Sequence, residues 1–227
     1  MKILALDAST EALSVALFDS DAPDRAREVF EIAPRAHATR LLPAAQQLLD
    51  DARLGLADLD GIAFARGPGA FTGLRIAAGL VQGLAGGANL PVVGISTLAA
   101  IAARAFDHDS TADRVQVVQD ARMGEIYTAT YERGGLPEPM AAERVMAPAD
   151  LMVETTNKVC RAGNGWSLVV EVQGLDASPI GVDAPHAIDV ARLAWPLFAD
   201  GRTLVASEAL PVYVRDDVAR KPGGRKS

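Results

Sequence analysis

The sequence predicts an α/β fold built from two related units that face each other across a cleft. Three observations carry this. Short apolar runs alternate with segments in helical register, the pattern of strand–helix–strand proteins. Leu4-Ala5-Leu6-Asp7-Ala8-Ser9-Thr10-Glu11-Ala12-Leu13-Ser14-Val15-Ala16-Leu17-Phe18 lies over Val117-Val118-Gln119-Asp120-Ala121-Arg122-Met123-Gly124-Glu125-Ile126-Tyr127-Thr128-Ala129-Thr130-Tyr131 without a gap, each reading strand, Asp, short turn, strand. A glycine-rich turn, Gly67-Pro68-Gly69-Ala70-Phe71-Thr72-Gly73-Leu74-Arg75, joins an apolar run to a helical segment. Free N–H groups and the helix dipole make such a turn a frequent anion site.

The first unit reads as follows. Lys2 to Asp7 is a buried strand, Leu13 to Asp19 a second with alternating character, and Arg27 to Ile32 a third. A helix runs from about His37 to Arg53, with Leu41, Leu42, Ala45, Leu48, Leu49 and Ala52 at helical spacing. Pro43 loses a backbone bond there, so its regular part is expected to start after His37, and Gly55 closes it. A strand at 62–66 leads into the glycine turn, with Thr72 as N-cap of a helix over 72–86. A strand from Pro91 to Ile95 and a helix opened by Ser96 or Thr97 complete the unit.

The second unit opens near Asp113 with the repeated hairpin, giving units of 1–105 and 106–227. It is less legible beyond that. Val145-Met146 reads as a short strand, Pro148 to Glu154 as a short helix, Lys158 to Ala162 as a strand, and Gly163-Asn164-Gly165 as a turn. Ile188 to Phe198 has helical spacing despite Pro196, and Pro211 to Arg215 is a last extended piece.

Composition narrows the function classes. At 227 residues with 49% hydrophobic and 22% charged content, the chain is an ordinary globular protein with ample core. An acid at position 7 interrupts the first apolar run, so no secretory segment is expected, and no run approaches the roughly 20 apolar residues of a membrane helix. Cys160 has no disulfide partner, which suits a reducing cytoplasm; within a strand it reads as core rather than nucleophile. A net charge of −7 disfavours stand-alone nucleic-acid binding. The end is the exception: Arg215 to Ser227 holds five basic residues and two acids, read as a solvated tail, with a basic arm as the alternative.

Asp7 and Asp120, each ending an apolar strand, are the candidate functional carboxylates, with Ser9 and Thr10 in the first turn. Such a pair can hold a metal on nucleotide phosphates, or each can cap its own turn. Asp7-Ala8-Ser9-Thr10 lacks the glycine a phosphate loop needs, which favours capping. A two-histidine metal site needs i, i+4 spacing, and the position four after His37 is Leu41. His108 and His186 have no ligand spacing near them. Metal catalysis is therefore disfavoured. The glycine turn is neither a Walker A loop nor a dinucleotide fingerprint, and no G-x-S-x-G elbow exists. Gly79 and Gly83 sit inside a helix where each costs roughly 1 kcal/mol against alanine, so close approach of another backbone is expected.

Ile3-Leu4-Ala5-Leu6-Asp7-Ala8-Ser9-Thr10, His37 with Leu41-Leu42-Pro43, and the run from Gly67 to Ile76 resemble the TsaB (YeaZ) family. So do Gly94-Ile95-Ser96-Thr97-Leu98, Asp120-Ala121-Arg122 with Glu125-Ile126-Tyr127, and Pro211-Val212-Tyr213-Val214-Arg215. The order is kept along the chain; about 135–205 contributes little. The resemblance implies two actin-like ATPase (ASKHA, ribonuclease H-like) domains related by duplication, the second degenerate. It also implies a cytoplasmic accessory role in tRNA threonylcarbamoyladenosine formation, with no catalytic residues, metal or cofactor of its own. The implied partners are the catalytic subunit TsaD, as a heterodimer, and the ATPase TsaE. A homodimer is expected when the chain is alone, and tRNA is reached only through the assembled complex. The implied partner surface is His37, Leu41, Leu42, Ala45 and Leu48 on the first helix, with Thr72, Ile76, Gly79, Leu80 and Gly83 on the second. Asp7, Ser9, Thr10 and Asp120 would form a vestigial nucleotide cleft. Leu41 in place of a histidine and a hairpin without glycine mark a degenerate paralogue of TsaD. The alternatives are a glycoprotease-type metallopeptidase, an ATP-hydrolysing enzyme, or a tRNA-binding module acting through the basic tail.

Overall fold

β1 (Lys2–Asp7), β2 (Ala12–Asp19) and β3 (Arg27–Ile32) form an antiparallel meander. β4 (Gly61–Gly67) and β5 (Val92–Ser96) extend it in parallel, giving the order β3-β2-β1-β4-β5. The structure, a computed structural model, describes residues 1–134, 137–156, 158–175 and 178–214. β1 and β4 are buried on both faces, as expected of strands with helices above and below. Leu4 and Leu6 point to one side and Ile3 and Ala5 to the other, into two separate cores.

On the first side lie α1 (His37–Ala52) and α2 (Phe71–Ala88), packed against each other and the sheet. α1 starts at His37, earlier than Pro43 led us to expect. Pro43 sits on the exposed face, where the Thr39 carbonyl that loses its partner is open to solvent. α2 starts at Phe71 with Ala70 as N-cap, so Thr72 lies inside the helix and caps nothing. Its start is set by contact instead: Ala70 N–H donates to the Ser9 carbonyl at 2.7 Å. α3 (Thr97–His108) has the expected N-cap, Ser96 Oγ accepting from Leu98 N and Ala99 N.

The second sheet repeats the plan in reduced form. β6 (Arg114–Arg122) pairs antiparallel with β7 (Glu125–Glu132), β7 with β8 (Arg144–Met146), and β6 in parallel with β9 (Val159–Ala162). The order β8-β7-β6-β9 matches β3-β2-β1-β4, with no counterpart of β5 among the described residues. The ungapped overlay is off by one residue at the turn. Asp7 faces Ser14, but Asp120 faces Ile126 rather than Tyr127, because a bulge between Asp120 and Arg122 tightens the second hairpin. Only a 3-10 turn, Pro148–Asp150, forms where a helix was expected. A helix the sequence did not announce, α4 (Trp166–Gln173), follows β9. The expected piece from Pro211 runs extended to Val214 without joining a sheet; Arg215 and the basic tail lie outside the described residues.

The two halves exchange helices. α3 packs on β6, β7 and β9 of the second sheet as well as on β4 and β5 of its own, while α5 (Ala187–Ala199) packs on β1, β2, β4 and β5 of the first. A division at 105/106 thus falls inside α3. Between the sheets the two helices touch, and Arg104 Nε donates to the buried Asp189 carboxylate at 2.7 Å. The α5 N-terminus is capped from the other half: Ala187 N–H donates to Ser14 Oγ (2.9 Å) and Ile188 N–H to Glu28 (3.2 Å).

Glycines lock each unit at its turn. A Cβ on Gly73 would fall on the Ala8 carbonyl, and one on Gly69 on the Ser9 carbonyl. In the second unit, a Cβ on Gly163 would strike the Val118 carbonyl, and one on Gly165 would lie 2.8 Å from the Gln119 carbonyl carbon. By contrast, Gly79 has nothing within 4 Å of that position. Gly73→Ala should therefore cost roughly 2 kcal/mol or more in urea unfolding, while Gly79→Ala should gain up to roughly 1 kcal/mol.

Candidate functional site

The hairpin turns of the two sheets meet at a cleft of about 230 Å³, closed at one side by the start of α2 and by residues 212–214. Ser9, Thr10 and Glu11 line it from the first hairpin, and Gln119, Asp120 and Arg122 from the second. Arg122 reaches across to Glu11 at 2.7 Å and back to Asp120 at 3.4 Å. Arg122, Met123 and Gly124 all have positive φ; the last two form the two-residue turn that a tight hairpin needs.

Both carboxylates are spent on their own turns. Asp7 Oδ1 accepts from Ser9 N–H at 3.1 Å, and Asp120 Oδ1 accepts from Arg122 N–H at 2.7 Å. Asp120 N–H donates to the Asn164 side chain at 2.9 Å. Thr10 Oγ1 accepts from Ala12 N–H at 3.1 Å. Asp7 does not line the cleft: it is fully buried, and its Oδ2 has no partner among the described residues. Burial pushes its carboxyl up to about 7, opposed first by Ser9 and then by His186, with nearby Glu28 adding to the rise. Ser9 Oγ and Gln119 Oε1, recessed in the cleft wall, are likewise buried without a hydrogen-bond partner among the described residues. The expected set therefore separates: Ser9, Thr10 and Asp120 share the cleft, and Asp7 lies behind it.

His37 is buried, with Nε2 donating to the Ala12 carbonyl at 3.2 Å. Among the described residues no three His, Cys, Asp or Glu side chains converge in a metal-binding cluster. Burial pushes the Cys160 thiol up to about 11, so it is an inert core group rather than a nucleophile.

The expected partner surface is also divided by the structure. His37, Leu41, Ala45 and Leu48 face the chain's own sheet and are buried there, so they are corrected from surface to core. A hydrophobic helical stripe marks a buried face without saying what buries it. Leu42, Thr72, Gly79 and Gly83 are exposed, and Ile76 and Leu80 are half-buried. Sequence reasoning missed the segment after α5, which returns along α2. Leu204 pairs with Val92, Gln82 Nε2 donates to the Ala209 carbonyl, and Arg75 Nε donates to the Tyr213 hydroxyl at 3.0 Å. No local pattern announces this, because its partners lie more than a hundred residues away.

Two sheets of matching order, exchanged helices and a cleft between two Asp turns define an actin-like (ASKHA) two-unit protein. The (R)-2-hydroxyglutaryl-CoA dehydratase component A of Acidaminococcus fermentans has this fold at 8% identity, with a TM-score of 0.51 over 89% of this chain and 99% of that one. Residues 29–196 match the family model described as TsaD, tRNA N6-adenosine threonylcarbamoyltransferase. The tRNA threonylcarbamoyladenosine biosynthesis protein TsaB of Escherichia coli (strain K12) is 40% identical over 97% of each chain. That of Bacillus subtilis (strain 168) is 32% identical over 86% of each. The structure of YeaZ from Pseudomonas aeruginosa is 42% identical with a TM-score of 0.82, covering 93% of this chain and 99% of that one. The chain belongs to the TsaB (YeaZ) family.

The buried Asp7 gives a pH test. Its folded pKa lies above the unfolded value of 3.8, so its contribution to stability falls as pH rises from about 4 to about 7. Asp7→Asn keeps the acceptor for Ser9 N–H and removes the buried charge. It should stabilise the protein by roughly 2 to 4 kcal/mol at pH 8 and by clearly less at pH 5, read by thermal unfolding at both pH values.

Proposed function

We propose that this chain is a non-catalytic accessory subunit in tRNA N6-threonylcarbamoyladenosine formation. It binds and activates a TsaD-type threonylcarbamoyltransferase, together with a TsaE-type ATPase, and meets tRNA as part of that assembly in the cytoplasm. The observation that carries this reading is the outer face of α2. Gly79, Gly83 and Gly87 leave open space where side chains would stand, and nothing among the described residues fills it. Each such glycine costs roughly 1 kcal/mol in a helix, which close packing against another helix would offset. Exposed Leu42 on α1 and half-buried Ile76 and Leu80 on α2 add apolar area to that face. With no partner present, the same face is expected to pair two copies of this chain.

The non-catalytic reading is supported by how the candidate groups are used. Asp120 is bonded within its turn and held by Arg122, Asp7 lies behind the cleft, and His37 is bonded to backbone. The purified chain alone is expected to show neither steady ATP or peptide hydrolysis nor stoichiometric metal; either would overturn the accessory role.

The pairing face is tested by Gly79→Leu with Gly83→Leu. Both positions are open, so the double variant should fold and melt higher, by roughly 1 kcal/mol per site. It should nonetheless fail to retain the organism's own TsaD in a pull-down that the wild type passes. Unchanged capture would refute the assignment.

A further inference from the structure

A second cavity, of about 190 Å³, lies at the outer edge of β5 and shares no lining residue with the cleft. Val92 pairs on that edge with Leu204 in antiparallel sense, N–H to carbonyl in both directions, at 2.9 and 2.8 Å. Two residues further, the same pairing would set Arg202 opposite Gly94, whose N–H points to the same edge as that of Val92. It stops short, because Arg202 N–H turns back to the Leu197 carbonyl of α5 at 2.8 Å. On this edge the Gly94 N–H has no partner among the described residues, and the cavity occupies the gap.

Arg66, near the end of β4, reaches the gap from the neighbouring strand. Its stem lies over Gly94, where a Cβ would stand 3.3 Å from Arg66 Cβ and Cδ. Arg66 is half-buried, yet among the described residues its guanidinium donates to no acceptor and pairs with no carboxylate. A charge withdrawn from water without a counter-charge is costly. Two acids stand nearby, and neither is the missing partner. Glu143 accepts from the Ser96 and Tyr131 hydroxyls. Glu138 lies 3.9 Å from Arg202, with side chains 73% and 62% exposed, and an exposed pair of that length contributes little.

We propose that this gap is an oxyanion site that takes a phosphate group, held by the Arg66 fork, the Gly94 N–H and Arg202. A guanidinium fork matches two oxygens of a phosphate, and a free backbone N–H supplies a further donor. One carboxylate would satisfy a single fork. Two arginines converging with an N–H suit a group with more oxygens and more charge, which is phosphate. Glu138 is the competitor for Arg202 and turns outward when the anion enters. The site is independent of the accessory role proposed above.

The test titrates the full chain with inorganic phosphate against chloride at equal ionic strength, read by thermal midpoint and by phosphorus NMR line broadening. Phosphate should raise the wild-type midpoint more than chloride does. Arg66→Met should weaken phosphate binding roughly tenfold or more. Its midpoint in chloride should stay at the wild-type value, which a merely structural arginine would not allow. Arg66→Lys should keep part of the affinity, Arg202→Met should weaken binding, and Glu138→Gln should tighten it. Adenosine 5′-monophosphate that binds as tightly as phosphate, and loses that binding in Arg66→Met, assigns the site to a phosphate ester; weaker binding assigns it to the free ion. A midpoint that phosphate raises no more than chloride overturns the site. So does undiminished phosphate affinity in Arg66→Met. An equal response to acetate marks an adventitious ion only, with the same result. Should Arg66→Met not fold, Arg202→Met and Glu138→Gln decide by their opposite shifts, and no shift in either overturns the site.

Discussion

Everything in this protein depends on one shared core, the pair of helices held between the two sheets. α3 packs on the second sheet while keeping contact with β4 and β5 of the first, and α5 returns from the second half to pack on the first. Their contact buries the Asp189 carboxylate. Burial pushes its pKa up, and the Arg104 guanidinium at 2.7 Å opposes that rise. The two sheets share this cover, and residues of both halves meet in one core. The cleft follows from this, since the exchanged helices fix the distance between the two hairpin turns.

Glycine does two opposite jobs here. Gly69, Gly73, Gly163 and Gly165 are small because backbone presses on them from inside the chain. They pull the turn after β4 and the turn after β9 onto the ends of β1 and β6, which is where a phosphate loop would otherwise open. Gly79 and Gly83, about two and three helical turns further along α2, are small with nothing beside them among the described residues. In the sequence the first four flank helix starts and the last two lie inside a helix, but none says what stands beside it. Only the coordinates separate those that close the fold from those that face outward.

Most of the first sheet was legible, because buried strands and amphipathic helices leave strong periodic signals over 2–108. The second half was less so. α4 contains three valines among eight residues and reads more like a strand than a helix. It is helical because Trp166 buries itself among Val118, Ile126, Leu151 and Val169 and donates its indole N–H to the Ala162 carbonyl. The cleft was half legible. Asp120, Ser9 and Thr10 stood out as the ends of strands, but that Asp7 turns inward depends on α5 arriving from 180 residues away.

By itself the sequence determined the α/β class, the duplicated hairpins, the two helices of the first unit and the family resemblance. These rest on local periodicity and on residue identity, which the chain carries in order. The tertiary structure alone decided the helix exchange, which apolar residues of α1 are core rather than surface, and the closing of the cleft by Phe71 and Tyr213. Each of those is a contact between segments far apart in the chain, and burial is a property of such contacts rather than of any one residue.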